Sequence, residues 1–577
     1  MIVLRGRLAL TALSLVAMAA CGGGKGGNNN SGNQGGGPVL TVSGTVNYEF
    51  VRPNANCNGL NLDAPVLRPI RGATVQLLGS SDAVLGTTIS GEDGSYVFTN
   101  IDANTMVRLR VRAELKQQGA PSWDVEVRDN FDDSGNPPPL GSRPLYVADG
   151  SLFNIGSSNA SRDLTATTGW GGSSYTGARA AAPFAILDTI YTAIQFVLSA
   201  DATANFPALD VFWSVNNTAT VSGDLDAGEL GTSSYFTGLQ ELFLLGDADS
   251  DTDEFDDHVV LHEWGHYFED AFSRSDSRGG AHNIGESLEA ALAFGEAWGH
   301  AFAAMALDEP IYCDTGPAGS SGGFSLSTET GNFGVPGWFN EWGIATVIYD
   351  LWDTDDDGSD NGSIGWGPIY NIMTGPQASG DAFTTVFSFA AELRAALNAQ
   401  GQAFIDSQLA RENIVSGNGL DIWASNETNN AGVAQDVLPL YTDYTADGSV
   451  LNVCMNNQLD GLTRDGNNVG EDRYLRISVP LTDEYDVVMA ATTPTPATAD
   501  PGDRDQSDPD FYIYDGPQEL IRGWSSDDNL ETARTPTLQA GTTYIAFLEE
   551  WRFQDVDGAP ASFPSRMCFD VSFTPTP

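Results

Sequence analysis

The five histidines of this 577-residue chain all lie between His258 and His300, and two of them belong to the run His262-Glu263-Trp264-Gly265-His266. On an α-helix, residues i and i+4 lie on the same face, so both imidazoles can direct a ring nitrogen at one metal ion. In this H-E-x-x-H pattern the two histidines bind zinc, and the glutamate is the general base that activates water. Histidine pairs also occur as packing or surface residues, but a chance match is rare with so few histidines. The run therefore predicts a catalytic zinc site with Glu263 as the base.

A catalytic zinc site needs a third protein ligand. The metzincin pattern would require glycine at position 269 and histidine at position 272, but the chain has Glu269 and Phe272 there. The segment that follows is rich in alanine and leucine, which predicts a second helix. On that helix Glu289, Glu296 and His300 share one face, so the second helix can offer a carboxylate to the metal.

A second motif identifies the class that the chain resembles. Thirty residues after His266, Glu296 lies in the run Gly295-Glu296-Ala297-Trp298-Gly299-His300. The two motifs together resemble the gluzincin zinc metallopeptidases of thermolysin and fungalysin type. The resemblance implies that His262, His266 and Glu296 bind zinc, that Glu263 is the general base, and that the substrates are proteins or peptides. If Glu296 is not the third ligand, Glu286 and Glu289 are the next candidates.

The chain departs from the gluzincin pattern beside the third ligand. The family usually has an aspartate four residues after the glutamate ligand, where it supports a ligand histidine, but this chain has His300. A neutral histidine can accept the same hydrogen bond, although it lacks the charge of a carboxylate. Glu269 and Asp270 are the other candidates for that supporting role.

A second departure concerns the group that stabilises the oxyanion of the reaction. Family members use a later histidine or tyrosine, and no histidine follows His300. The candidates are Tyr349, in the helix-like run from Glu341 to Trp352, and His282, in a glycine-rich loop. Packing for Tyr349 and a loop turn for His282 are equally good explanations. Two alternatives therefore stay open: a catalytically inactive surface binding or adhesion protein, and a zinc hydrolase that acts on a non-peptide amide.

The charge of the chain limits its partners. With 77 acidic and 26 basic residues, the formal net charge is −51. Nucleic-acid binding needs a basic surface, so it is excluded. We expect a monomer.

Two acidic runs have the alternating carboxylates that a hard cation such as calcium binds. The candidate calcium ligands are Asp247, Asp249, Asp251 and Asp253 in the first run and Asp353, Asp355 and Asp357 in the second. The second run lacks the glutamate that completes an EF-hand loop. A solvated loop explains the first run equally well.

The N-terminus predicts export. Residues 1–21 have two arginines before an apolar run that is too short to span a bilayer, and they end in Ala19-Ala20-Cys21, which resembles a bacterial lipoprotein signal peptide. The resemblance implies lipidation of Cys21 and a place in the cell envelope, at the outer membrane or the cell surface. An ordinary secretory signal and release from the cell are the alternatives. Residues 22–38 predict a flexible Gly/Asn-rich tether.

The remaining sequence predicts a multidomain α+β protein. Alternating residues 39–115 predict an antiparallel β-sandwich, which resembles the carboxypeptidase regulatory-like fold, and residues 116–168 predict a connector. Residues 169–440 are expected to form a zincin-like metallopeptidase domain with a helical C-terminal lobe. Residues 441–577 predict a second antiparallel β-sandwich, which resembles the pre-peptidase C-terminal type.

The cysteines fit an oxidising compartment. Without Cys21 four remain, Cys57, Cys313, Cys454 and Cys568, which permit two disulfides in three connectivities. Cys454 and Cys568 bracket the C-terminal segment, so we expect them to pair.

Overall fold

The computed structural model describes residues 39–576 except 222, 331–332, 355–361, 458–466, 496–505, 526–528 and 555–562. These residues form a multidomain α+β structure with several β-sheets and eight α-helices. The predicted signal peptide and tether, including Cys21, lie outside the described residues. The candidate calcium ligands Asp355 and Asp357 also lie outside them.

The N-terminal part of the chain consists of strands, because its apolar residues alternate with polar ones. In Met106–Gln117, for example, every second side chain from Val107 to Ala113 is buried. The strands are β1 (Val39–Phe50), β2 (Val66–Pro69), β3 (Ala73–Gly79), β4 (Val84–Ile89), β5 (Ser95–Asp102), β6 (Met106–Gln117), β7 (Trp123–Arg128), β8 (Val147–Asp149), β9 (Phe153–Asn154), β10 (Ala160–Ser161) and β11 (Leu164–Ala166). One five-stranded sheet is built on β1, which pairs with β2, β5, β10 and β11.

A nine-stranded sheet continues from this part into the region of the H-E-x-x-H motif. It adds β12 (Leu209–Trp213), β13 (Ser234–Phe236) and β14 (Glu241–Leu244), in the order β13-β14-β12-β7-β6-β3-β4, with β8 and β9 also paired to β6. The strand β12 is parallel to both β7 and β14, whereas β13 is antiparallel to β14 and forms the edge. Residues 116–168, the expected connector, thus contribute strands to both sheets.

Helices and one hairpin follow the last strand of this sheet or cover it. They are α1 (Ala182–Ala200), α2 (Asp257–Phe272), α3 (Ala290–Leu307), the hairpin β15 (Ile311–Thr315) and β16 (Gly323–Ser327), α4 (Glu341–Trp352), α5 (Trp366–Ile372), α6 (Val386–Ala396) and α7 (Ala399–Arg411). By length and composition α1 is apolar enough to cross a membrane, and most of it is buried inside the protein. Side chains cap several N-termini; Asn340, for example, accepts a 2.8 Å hydrogen bond from Gly343 N at the start of α4.

The C-terminal part is a sandwich of two sheets. Its elements are β17 (Tyr441–Thr445), β18 (Leu451–Asn456), β19 (Asp472–Ser478), β20 (Tyr485–Ala491), β21 (Pro509–Asp515), β22 (Gln518–Gly523), β23 (Leu530–Arg534), β24 (Thr543–Glu550), the short helix α8 (Trp551–Gln554) and β25 (Arg566–Pro575). The sheets have the orders β17-β19-β24-β21-β22 and β18-β25-β20-β23. Their inner faces enclose an apolar core that includes Ile477, Ile513 and Phe569.

Two disulfides crosslink the fold. Cys454 and Cys568 face each other across β18 and β25 and are bonded, which confirms the expected pair. Cys57 and Cys313 join the N-terminal strands to β15. An apolar core that includes both Val42 and Trp298 also connects these two regions. Helix α1 packs on β1, β6 and β7, and α2 packs on α1 and on the strands β13 and β14.

Candidate metal centre

The two histidines of the motif lie one turn apart on α2 and direct their ring nitrogens at the same point. His262 Nε2 and His266 Nε2 are 3.2 Å apart. The helix forms here because its apolar side chains, among them Leu261, Trp264 and Phe268, pack into the core. Both imidazoles therefore stand on one rigid element.

Glu296, near the middle of α3, completes a set of three donors. Its Oε2 atom is 3.1 Å from His262 Nε2 and 3.5 Å from His266 Nε2. Burial alone would raise the pKa of Glu296, but His266 and His282 hold that pKa well below its usual value, so the carboxyl group is ionised. Zinc ligands at 2.0–2.2 Å in a tetrahedral arrangement lie about 3.3 Å from one another. The three donor atoms fit a zinc ion in both chemistry and spacing.

Glycines allow the two helices to approach closely enough for this geometry. Gly265 of α2 and Gly299 of α3 meet at the helix crossing. The sequence alone predicted no role for either glycine, although Gly265 belongs to the first motif and Gly299 to the second. Their role depends on which faces of the helices meet, and that is a tertiary property.

Glu263 lies beside the three donors and has the environment of a general base. It is 8% exposed, and burial raises the pKa of its carboxyl group while His262 and His266 lower it. The backbone of Tyr235, in the edge strand β13, also lowers the pKa of this carboxyl group. Glu263 is therefore close to the edge strand of the nine-stranded sheet.

The supporting candidates Glu269 and Asp270 have different surroundings. Glu269 is fully buried behind His266, with 3.5 Å between its Oε2 atom and His266 Nδ1, and burial raises its pKa to about 7. Asp270 instead accepts hydrogen bonds from Tyr235 Oη at 2.7 Å and Gly238 N at 2.9 Å. Glu269 thus contacts His266, one of the three candidate donors, and Asp270 fixes the loop after β13.

His300 packs against the ring of His262. Among the described residues, no hydrogen bond joins these two side chains. The ring centroids are 4.3 Å apart, and Tyr312 and Trp342 enclose the other sides of His300 at 4.9 and 4.8 Å. Burial, together with the nearby His262, holds the pKa of His300 well below its usual value. The ring is therefore neutral and serves as an aromatic packing group.

His282 reaches the centre from the loop between α2 and α3. Its Nε2 atom lies 3.4 Å from Glu296 Oε2 and 3.6 Å from Glu341 Oε2, while Nδ1 is 3.1 Å from the carbonyl oxygen of Gly280. Burial lowers the pKa of His282, but the negative charges of Glu296 and Glu341 outweigh this and raise it to about 10. Tyr349, the other oxyanion candidate, lies eight residues after Glu341 on α4, about 12 Å along the helix axis.

Glu341 lies with His282 and Glu296, although the sequence did not predict it as a site residue. Its side chain is fully buried, and neither carboxylate oxygen has a hydrogen-bond partner among the described residues. Burial raises its pKa to about 8. The only sequence signal was its position at the start of a predicted helix, and that does not reveal which side chains it will face.

A separate acidic cluster forms at the start of α2. It combines two of the candidate calcium ligands, Asp251 and Asp253, with Asp256 and Asp314, and their carboxylate oxygens lie within 4.8 Å of one another. Asp247 is instead part of a turn in which it accepts a hydrogen bond from Asp249 N at 3.0 Å. Burial raises the pKa of Asp251 to about 6 and that of Asp314 to about 7.

The last described candidate, Asp353, is a buried residue at the C-terminal end of α4. It lies outside the acidic cluster at the start of α2.

Comparison with known proteins gives one family match. Residues 215–407, about a third of the chain, match the model of the Mycolysin C-terminal domain, and this stretch includes α2, α3 and Glu341. The match indicates a protein of peptidase type. No curated protein matches the chain. Among solved structures, the chain is similar to the pre-peptidase C-terminal domain of collagenase from Bacillus anthracis, at 8% identity over 23% of this chain and 94% of that one, with a TM-score of 0.15.

Proposed function

We propose that this protein is an exported zinc-dependent endopeptidase of gluzincin type, with its catalytic domain in residues 169–440. The observation that carries the proposal is the convergence of His262 Nε2, His266 Nε2 and Glu296 Oε2 at separations of 3.1–3.5 Å. A buried carboxylate, Glu263, accompanies them. The match to the Mycolysin C-terminal domain supports a peptidase.

The residues divide the work of peptide hydrolysis. A zinc ion held by the three donors would supply Lewis-acid chemistry, polarising a carbonyl and lowering the pKa of water. The Glu263 carboxylate takes a proton from the attacking water and passes it to the leaving amine. Because Glu263 is largely buried, its raised pKa favours both the uptake and the delivery of that proton.

The edge strand β13 offers a place for an extended peptide. Its partner β14 is flanked on its other side by β12, so β13 has the free edge of the sheet among the described strands. The backbone of Tyr235 in this strand lowers the pKa of Glu263, so the strand runs close to that carboxyl group. A substrate that adds to β13 as a further strand would pass directly by the base.

We propose His282 as the residue that stabilises the oxyanion. Its Nε2 atom faces Glu296 at 3.4 Å, whereas Tyr349 lies two turns along α4 from the centre. A positively charged or hydrogen-bonding imidazole at this place can interact with developing negative charge.

One experiment tests the proposal. Purified wild type should contain one zinc ion and hydrolyse casein, and Glu263→Gln should keep the zinc but lose activity by about 10²- to 10⁴-fold. Glu309→Gln is the matched control, because the Glu309 carboxylate accepts an exposed hydrogen bond from Ile311 N in the turn after α3, and the variant should retain both properties. Zinc-loaded wild type that cleaves no peptide in a library would refute the peptidase function and favour a binding or adhesion protein.

Export and anchoring are part of the same proposal. Lipidation of Cys21 would tie the enzyme to the cell envelope through the tether of residues 22–38. Metabolic labelling with palmitate should mark the wild type and leave Cys21→Ser unlabelled. An unlabelled wild type in the culture medium would instead indicate an ordinary secretory signal.

A further inference from the structure

The loop between α2 and α3 carries His282 and lies against the C-terminal sandwich. It comprises residues 273–289, and we call it the His282 loop. Arg278 on this loop places its guanidinium 3.8 Å from the ring centroid of Tyr512 and 4.5 Å from that of Phe547. Its Nη2 atom donates a 3.0 Å hydrogen bond to Glu549 Oε1. The C-terminal sandwich thus contacts one side of the loop through a cation–π interaction and an ion pair.

The residues that contact Arg278 are buried in the sandwich. Glu549 is 2% exposed, and Tyr512 Oη donates a 3.1 Å hydrogen bond to the same Oε1 atom that faces Arg278. Two rings and a buried carboxylate therefore fix the Arg278 guanidinium. Removal of the Arg278 guanidinium would leave the buried Glu549 carboxylate without this cationic partner, which is costly.

A second contact with the C-terminal part lies directly next to His282. Asn467 Nδ2 donates a hydrogen bond to the carbonyl oxygen of Ala281. Gly280 has φ +114°, and a β-carbon there would lie 2.9 Å from Asn467 Nδ2. The backbone on the N-terminal side of His282 is therefore pressed against Asn467.

The same C-terminal segment supports the start of α3. Asn467 O accepts a 2.7 Å hydrogen bond from Glu289 N, and Tyr474 Oη donates to the Glu289 carboxylate. Glu289 in turn caps α3 by accepting hydrogen bonds from Ala291 N and Leu292 N. The helix that bears Glu296 thus begins on a residue held by the C-terminal part.

We propose that the C-terminal β-sandwich positions side chains of the metal centre, and that Arg278 is a positioning residue that acts through His282. The sandwich holds the His282 loop from outside, and Glu341 faces His282 from inside at 3.6 Å. This inference rests on the proposed peptidase function, because its main consequence is a slower chemical step. A displacement of about 1 Å in a catalytic group can reduce the rate about 10²-fold.

The test compares two arginines in the full-length, zinc-loaded protein: Arg278, which contacts the sandwich from the His282 loop, and Arg476, which belongs to the sandwich itself. Arg278→Met should lower kcat about tenfold or more, with KM and zinc content changed less than about twofold. Arg278→Lys keeps the charge and should recover part of the loss. The control is Arg476→Met, since Arg476 also pairs with a carboxylate, Asp443, and lies 5.2 Å from the Trp423 ring, away from the His282 loop.

A double variant shows whether Arg278 acts through His282. If it does, Arg278→Met should slow the His282→Ala enzyme by less than about twofold, because the group that Arg278 positions is already gone. Fully multiplicative losses would overturn the inference. So would a kcat for Arg278→Met equal to that of Arg476→Met.

Hydrogen–deuterium exchange separates this inference from the proposed function. Peptides that cover residues 277–289 should exchange faster in Arg278→Met than in wild type and Arg476→Met, whether or not the protein cleaves peptides. An inactive wild type would refute the peptidase function alone. Unchanged exchange in this segment would overturn the inference, even in an active enzyme.

Discussion

Gly265 on α2 and Gly299 on α3 face each other so closely that a β-carbon on Gly265 would lie 2.9 Å from Gly299 Cα. A β-carbon on Gly299 would lie 2.7 Å from His262 Nδ1. This contact sets the distance between the helix that bears the histidines and the helix that bears Glu296. The glycines of both motifs thus leave the space in which His262, His266 and Glu296 converge.

Gly299→Ala should therefore weaken zinc binding. The added methyl group has no room beside the His262 ring, so the ring or α3 must move, and we expect zinc affinity to fall about tenfold or more. Competition with a chelating dye would measure this. Gly295→Ala, on the same helix, is the control: its β-carbon meets nothing closer than 3.5 Å, and alanine should stabilise the helix by up to about 1 kcal/mol. Equal zinc affinity in the two variants would contradict the steric explanation.

His300→Phe should leave zinc binding nearly intact. His300 contributes an uncharged ring that contacts His262, Tyr312 and Trp342, and phenylalanine can occupy the same space. We expect the zinc affinity of the variant to stay within about threefold of the wild type. A loss of about 10- to 100-fold, the usual effect of removing a hydrogen-bond partner of a ligand histidine, would show that His300 does replace the aspartate of the family.

The acidic cluster at the start of α2 should make stability depend on pH. Burial raises the pKa of Asp314 to about 7, compared with about 4 in an unfolded chain, so the folded protein binds more protons between these values. The stability that this group contributes is complete below about pH 4 and is lost as pH rises through about 7. Denaturant unfolding at pH 5 and pH 8 should show a loss on the order of 2–4 kcal/mol that Asp314→Asn reduces.

The same unfolding measurement can be repeated with added calcium. A cation among Asp251, Asp253, Asp256 and Asp314 would offset their mutual repulsion. Calcium at pH 8 should then stabilise the wild type more than Asp314→Asn. The predicted calcium site would have to be abandoned if calcium had the same effect on both proteins.

Much of the site could be predicted from the local spacing of residues. The residues that were not predicted join the site through tertiary contacts. An i, i+4 relation places His262 and His266 on one helix face without any knowledge of the fold. Glu341 and Asp314 were not predicted as members of their clusters, because each lies more than forty residues along the chain from its neighbours. These neighbours are His282 and Glu296 for Glu341, and the acidic run for Asp314. The strand β7 likewise looked like part of a connector, since pairing with β12 is invisible in a short, weakly patterned segment.

Glu269 and Asp270 are adjacent acidic residues that the sequence could not distinguish, and they allow a matched comparison. Glu269 faces His266 Nδ1, so Glu269→Gln should weaken the support of that ligand and reduce zinc affinity about 10- to 100-fold. Asp270→Asn alters hydrogen bonds to Tyr235 and Gly238 instead, so its zinc affinity should match that of the wild type. Because Tyr235 lies in the edge strand, we expect Asp270→Asn to raise KM for peptides. Zinc loss in Asp270→Asn, or none in Glu269→Gln, would reverse these two assignments.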